Sequence, residues 1–308
     1  MSQSRRAFLV GYSAIREAIA EQAVLKPGNV GALLRRGLAV STFNILENFV
    51  EQRIFELVER INSGHLGFRD LPEKLKEQST RNVLKVAGTR ATRMELDALI
   101  DLSKSIGGSL SSLDGQVTFS PLAWGWVGSN MGHEDLTSAL RTFHVKDPYG
   151  SMRTLSGTLG FQTKDQFNKD IDLRQQLKDL ASERHSSAHD SKHDVSAMVI
   201  GANVAVALKL AICFDSLASR ASVALRSGSR DYLDDIHWTS PNRISIRTVQ
   251  QREKDFAELK PGQARAVAVG KTKDEVLTAA MRRCGDSDLL VVKDRTGAIV
   301  DWRYPSCD

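Results

Sequence analysis

Cysteine is scarce in this sequence, with three residues among 308. Cys213, Cys284 and Cys307 are too few and too widely spaced for a disulfide framework or for the paired spacing of a structural zinc site, so a reducing cytoplasm is the expected compartment. A phosphate-cradling loop is missing as well. Residues 262–271 lack the Gly-x4-Gly-Lys-Ser/Thr spacing, and the tripeptide Gly270-Lys271-Thr272 alone is commonplace. No Gly-x-Ser-x-Gly elbow occurs, which leaves Ser186 and Ser187 without the strand-to-helix turn that a hydrolase triad needs. The apolar run 8–10 behind Arg5-Arg6 is too short for a signal peptide, and neither internal repeats nor low-complexity tracts interrupt the chain.

Long hydrophobic runs are rare too. The one extended low-charge stretch, 195–224, carries Asn203, Lys209 and Asp215 on helical spacing, the pattern of a buried bundle helix and not of a membrane span. With 41% apolar and 26% charged residues the composition is globular, in one large or two moderate domains at about 150 residues each. The net charge of +5 is modest for this length; it permits an anionic partner such as RNA without requiring one. Basic clusters at Arg5-Arg6, Arg35-Arg36, Arg90 with Arg93, and Arg282-Arg283 are candidate phosphate contacts, with solvated surface as the competing reading. Their spread outlines no single groove.

Periodicity predicts a mainly α protein: a helical bundle over 1–226 and a small α+β unit over 231–308. A helix over 5–24 is closed by Lys26-Pro27-Gly28-Asn29, a second spans about 30–61 and leaves through Asn62-Ser63-Gly64, and 70–103 is helical. Residues 107–132, rich in Gly and Ser, read as a long ordered excursion whose Trp124 and Trp126 either hold the loop to the core or stack on bases. Phe167, Ile171, Leu173, Leu177 and Leu180 set one helical stripe. Val195, Met198, Val199, Ala202, Val206, Ile212, Cys213 and Leu217 set the next, with Ser191 as N-cap and Asp194 as first-turn carboxylate. Past Arg226-Ser-Gly-Ser229 the texture changes. Residues 243–249 and 264–269 alternate as strands do, 273–283 is a helix with Thr272 and Glu275 as a capping box, and 289–293 pairs with 298–304 across Asp294-Arg-Thr-Gly297.

The most informative stretch is Arg184-His185-Ser186-Ser187-Ala188-His189-Asp190, at the end of the first stripe. A histidine titrates near neutral pH, so it can take a proton from a ribose 2′-OH or give one to a leaving 5′-oxygen. An arginine beside it holds the extra negative charge of the phosphoryl transition state. Arg184 and His189 are therefore the first catalytic candidates, with His185 as a third; Ser186, Ser187 and His193 are candidate RNA contacts. Similar spacing recurs at Arg60 and His65, at a helix end, and at Arg230 and His237, in an apparent linker.

Here the chain resembles the HEPN superfamily, in particular its ribonuclease-like branches from prokaryotic toxin and antiphage systems. The resemblance rests on Arg184, the polar residue after it, Ala188 before His189, and the paired helices around them. Upstream, 41–61 is similar to the first long helix of that family, Phe68-Arg-Asp-Leu-Pro72 to the turn after it, and 130–149 to the short-helix connection before the catalytic helix. His185 stands where Asn is common, and Asp190 where Gly often follows. Over roughly 35–226 the resemblance implies a HEPN-like bundle acting as a metal-independent endoribonuclease without cofactor, cleaving RNA by 2′-OH transesterification. It also implies a homodimer whose two motif-bearing helices build one cleft, and an antitoxin or other regulatory protein as a possible partner.

Two other readings compete. His185, His189 and His193, four apart, with Asp190 and Asp194 nearby, could ligate a metal, although Arg184 would oppose the cation. They could also be polar groups satisfied at a helix junction. The alternative function is a non-catalytic HEPN module that binds nucleic acid or a protein.

Overall fold

Helical periodicity governs three quarters of the chain. In a computed structural model, described over residues 2–112, 115–128, 130–234, 240–260, 262–263 and 265–308, the helices in order are α1 (Gln3–Ile19), α2 (Gln22–Leu25), α3 (Asn29–Asn62), α4 (Glu73–Glu77), α5 (Val83–Ala91), α6 (Leu96–Ser111), α7 (His133–Thr142), α8 (Pro148–Thr158), α9 (Leu173–His189), α10 (Ala197–Arg226), α11 (Arg230–Asp234) and α12 (Lys273–Arg282). The chain is mainly α, with a small mixed sheet at the C-terminal end.

α3 and α10 form the axis of the bundle. Ala39, Phe43, Leu46, Val50, Ile54, Leu57 and Ile61 of α3 recur every three or four residues and are buried together, which places one face of the helix in the core. The two helices run parallel, because Arg35 near the start of α3 meets Asp194 just before α10, and Gly64 beyond α3 meets Arg226 at the end of α10. A Cβ at Gly64 would lie 2.3 Å from the Arg226 carbonyl oxygen, so only glycine permits that approach. From Ala207 to Leu225 α10 is buried on every side, against α1, α3 and α8 among others. By length and composition α10 could cross a membrane, but this half of it is core.

Several element ends differ from the sequence expectation. The helix expected over 5–24 is broken after Ile19, and α2 is a single further turn. α9 starts at Leu173, capped by Asp172, whose Oδ1 accepts the Arg174 N–H at 2.8 Å; Phe167, expected on the stripe, is 72% exposed. Ser191 and Asp194 do not cap α10. Ser196 does, accepting the Val199 N–H, because Asp194 is drawn off by Arg35. Met198 and Val199 accordingly face outward, at 84% and 43% exposure, and not into the core. Residues 107–111 belong to α6, so the excursion begins after that helix.

The sheet comprises β1 (Ser245–Gln251), β2 (Phe256–Leu259), β3 (Ala268–Gly270), β4 (Asp288–Lys293) and β5 (Ile299–Arg303), in the order β3-β2-β1-β4-β5. β1 and β4 pair in parallel and all other pairs are antiparallel. β4 is buried on both faces, which is why its sequence is an unbroken apolar run: Leu290 and Val292 pack with Val276, Leu277 and Ala280 of α12, while Leu289 and Val291 join the bundle core. Half of the expected capping box forms: Thr272 accepts the Glu275 N–H, but the Glu275 carboxylate accepts from the Lys271 N–H and not from Thr272; the β4–β5 hairpin around Gly297 holds. β2 was not legible; its central Glu258 is buried by ion pairs with Arg247 and Arg283.

One apolar core runs through bundle and sheet, and a buried charge cluster fastens them. Asp215 of α10 accepts from Arg53 Nε at 2.6 Å and Ser219 Oγ at 2.7 Å on one oxygen, and from Trp302 Nε1 of β5 at 2.7 Å on the other. Arg5 lies 3.6 Å from Asp215 and 2.6 Å from Asp308, with all three side chains fully buried.

Candidate functional site

The last two turns of α9 carry the motif. Leu173, Leu177 and Leu180 bind the start of the helix to the core, but beyond Leu180 no apolar residue continues the stripe. Polar contacts hold the end instead. Glu183 Oε1 accepts Ser187 Oγ at 2.9 Å and lies 2.5 Å from His193 Nε2, tying the helix to the strand of chain that leaves it. That connection, 190–196, is pinned from α3: Arg35 grips Asp194 with Nε and Nη2 at 2.7–3.0 Å, and Arg36 Nη1 donates to the carbonyls of Ser191 and His193. Arg35-Arg36 thus fasten the fold, Arg36 through Nη1 alone while it also borders the hollow beside His189; Arg5 and Arg283 are occupied by carboxylates.

Of the residues expected at the site, Ser187 and His193 turn to Glu183. His193 therefore does not share a face with His185 and His189 as a metal site would need. Among the described residues no group of three or more His, Cys, Asp and Glu side chains is placed to hold a metal. His185 and His189 lie side by side at the surface, ring centroids 4.7 Å apart and planes inclined by 51°, both exposed. Ser186 is half-buried beside them. Of the alternative pairs, Arg60 and His65 flank the end of α3, Arg230 opens α11, and His237 lies outside the described residues.

α9 runs antiparallel to α3, and two hollows follow one another along α3. The first, about 460 Å³, is bordered by Leu33, Gly37 and Val40 of α3 and by Ala188 and His189 of α9. The second, about 680 Å³, is bordered by Asn44, Glu47, Asn48 and Glu51 of α3, by Arg90, Arg93 and Met94 around the end of α5, by Trp126 and Val127, and by Arg184. Five positions separate Arg184 from His189, about 7.5 Å along the axis and 140° around it, so within one chain they open on different hollows.

Arg184 Nε is buried with no hydrogen-bond partner among the described residues. Nearby, burial pushes the Glu47 carboxyl above its ordinary range, against the Met131 amide it accepts from and the Arg184 charge, which favour the ionised form. Arg90 Nη2 pairs with Glu51 at 2.8 Å. Trp124 is buried between Phe119 and Phe143; Trp126 also packs against the core and borders the larger hollow.

Sequence reasoning missed Glu183, Glu47 and the polar row Asn44, Asn48 and Glu51. That row was visible as a stripe three to four residues apart on α3, but an ordinary solvated face has the same pattern. No protein-family model, no curated protein and no solved structure matches this chain.

Proposed function

We propose that the protein is a metal-independent endoribonuclease of the HEPN type, a toxin or defence effector that cleaves RNA by attack of the 2′-OH on the adjacent phosphorus. The observation that carries the reading is the disposition of Arg184 and His189 on the last turns of α9: a guanidinium with an unpartnered Nε at the edge of an open hollow, and an exposed imidazole one and a half turns on. His189 takes the 2′-OH proton or supplies one to the 5′-oxygen, and Arg184 holds charge on the transferring phosphoryl group. The products are a 2′,3′-cyclic phosphate and a 5′-hydroxyl.

One chain supplies too little for both proton transfers, and a second copy completes the cleft. Exposed apolar residues support such a surface: Val30, Leu33 and Leu34 on the first turns of α3, and Met198 and Val199 on the start of α10, which the Arg35–Asp194 pair brings beside them. The separate hollows of Arg184 and His189 favour the second reading, a non-catalytic HEPN module that binds nucleic acid or protein.

His189→Ala decides between them. Incubated with mixed RNA in EDTA, the wild type cleaves and the variant loses about 10²–10⁴-fold in rate with its circular dichroism unchanged. A variant within a few-fold of wild type ends the catalytic assignment, and a wild type silenced by EDTA restores the metal reading.

A further inference from the structure

We infer that the hollow beside Arg184 is a base pocket that holds a purine nucleotide of the RNA next to the cleaved phosphate, guanine in preference to adenine. Its substrate rests on the ribonuclease reading; its ligand chemistry does not. At about 680 Å³ it falls within the roughly 300–1,000 Å³ of small-molecule sites. Trp126, with Val127 and Met94, supplies a flat apolar wall for a base. Along α3 the lining residues follow in the order Asn44, Glu47, Asn48 and Glu51, and from around the end of α5 come Arg93 and Arg90, the latter paired with Glu51.

That alternation of acceptors and donors fits one base best. Guanine carries adjacent N1–H and N2–H donors for a carboxylate, and the O6 and N7 acceptors that a guanidinium grips as a pair. Adenine offers an N1 lone pair where guanine offers a donor, so it would set an acceptor against the carboxylates. Pyrimidines present a smaller face to the indole. Arg184, at the edge of the same hollow, is placed to take the phosphate attached to the bound nucleoside.

The test titrates the full chain with 5′-GMP, AMP, CMP, UMP and inorganic phosphate, read by tryptophan fluorescence and calorimetry. GMP is expected to bind at least tenfold tighter than CMP or UMP and several-fold tighter than AMP. Trp126→Leu should weaken GMP by about 5–150-fold, the range of base stacking on an aromatic side chain. Asn48 is exposed on α3, so Asn48→Leu removes an edge contact without disturbing the core, and its GMP affinity should fall while thermal unfolding stays put. Equal affinity for all four nucleotides, phosphate binding as tight as GMP, or unaltered GMP binding in both variants overturns the inference. RNA cut sites should be enriched in guanine on one side of the break, and Asn48→Leu should flatten that enrichment. GMP binding without cleavage upholds the pocket and sinks the ribonuclease reading; cleavage with neither base preference nor mononucleotide binding does the reverse.

Discussion

Around Asp215 and around Arg184 the same side chain meets two fates. Arg53 and Arg5 are buried against Asp215 and Asp308, and Trp302 and Ser219 donate to the Asp215 carboxylate. Arg184, Arg90 and Arg93 border an open hollow in which one carboxylate, Glu47, accepts from a backbone amide and another, Glu51, balances Arg90 alone. The first cluster is closed to solvent and its charges offset one another, so it is structural. The second keeps positive charge over to offer a ligand. Residue type does not separate them; the partners do.

The largest effect is expected where the charges are buried. Asp215→Ala removes the carboxylate that Arg53 and Arg5 share, leaving Arg53 to Glu56 and Arg5 to Asp308, and should cost about 3–5 kcal/mol in a denaturant titration. A loss below 1 kcal/mol would mean that water reaches the cluster. Arg184→Ala should do the opposite: no change in unfolding beyond about 0.5 kcal/mol, but a turnover on RNA lower by about 10²–10³-fold. Arg184→Lys should restore only part, because an ammonium lacks the planar fork. If Arg184→Ala instead weakens RNA binding with normal turnover at saturation, Arg184 is a phosphate tether and the contrast narrows.

Acid sharpens the same comparison. Burial opposes the charge of Asp215, but Arg53 and Arg5 outweigh it and hold the carboxyl below its ordinary 3.8. The unfolded chain therefore binds the proton first. This stabilisation is complete above that ordinary value and disappears as the pH falls through the folded one. Thermal unfolding scans from pH 6 to pH 2 should show an acid limb that is shallower in Asp215→Asn; parallel limbs would place the acid sensitivity elsewhere. The smallest effect on the fold is expected at Leu33, 61% exposed beside the His189 hollow. Leu33→Glu should leave stability within about 0.5 kcal/mol while light scattering reports a dimer turning into a monomer and RNA cleavage falls with it. A fully active monomer would end the shared-cleft model and make His185 the next residue to test.

The sequence by itself determined what depends on neighbours along the chain. The burial stripe of α3, the Thr272–Glu275 cap of α12, the β4–β5 hairpin at Gly297 and the placement of Arg184 and His189 on the closing turns of α9 all follow from spacings of two to four residues, which set which side chains share a face. Only the tertiary structure decided the rest. Asp194 had the local credentials of a first-turn carboxylate, but Arg35, 159 residues away, offers it a bidentate partner that a helix N-terminus cannot match. Trp124 and Trp126 are equivalent in sequence, and that both pack against the core while Trp126 also borders the cavity is set by Phe119, Phe143 and α3. Arg5 and Arg184 are likewise both plain cations until folding brings carboxylates to one and an open hollow to the other. Charge acts through space, so its partners are fixed by the packing of distant elements and not by the order of residues.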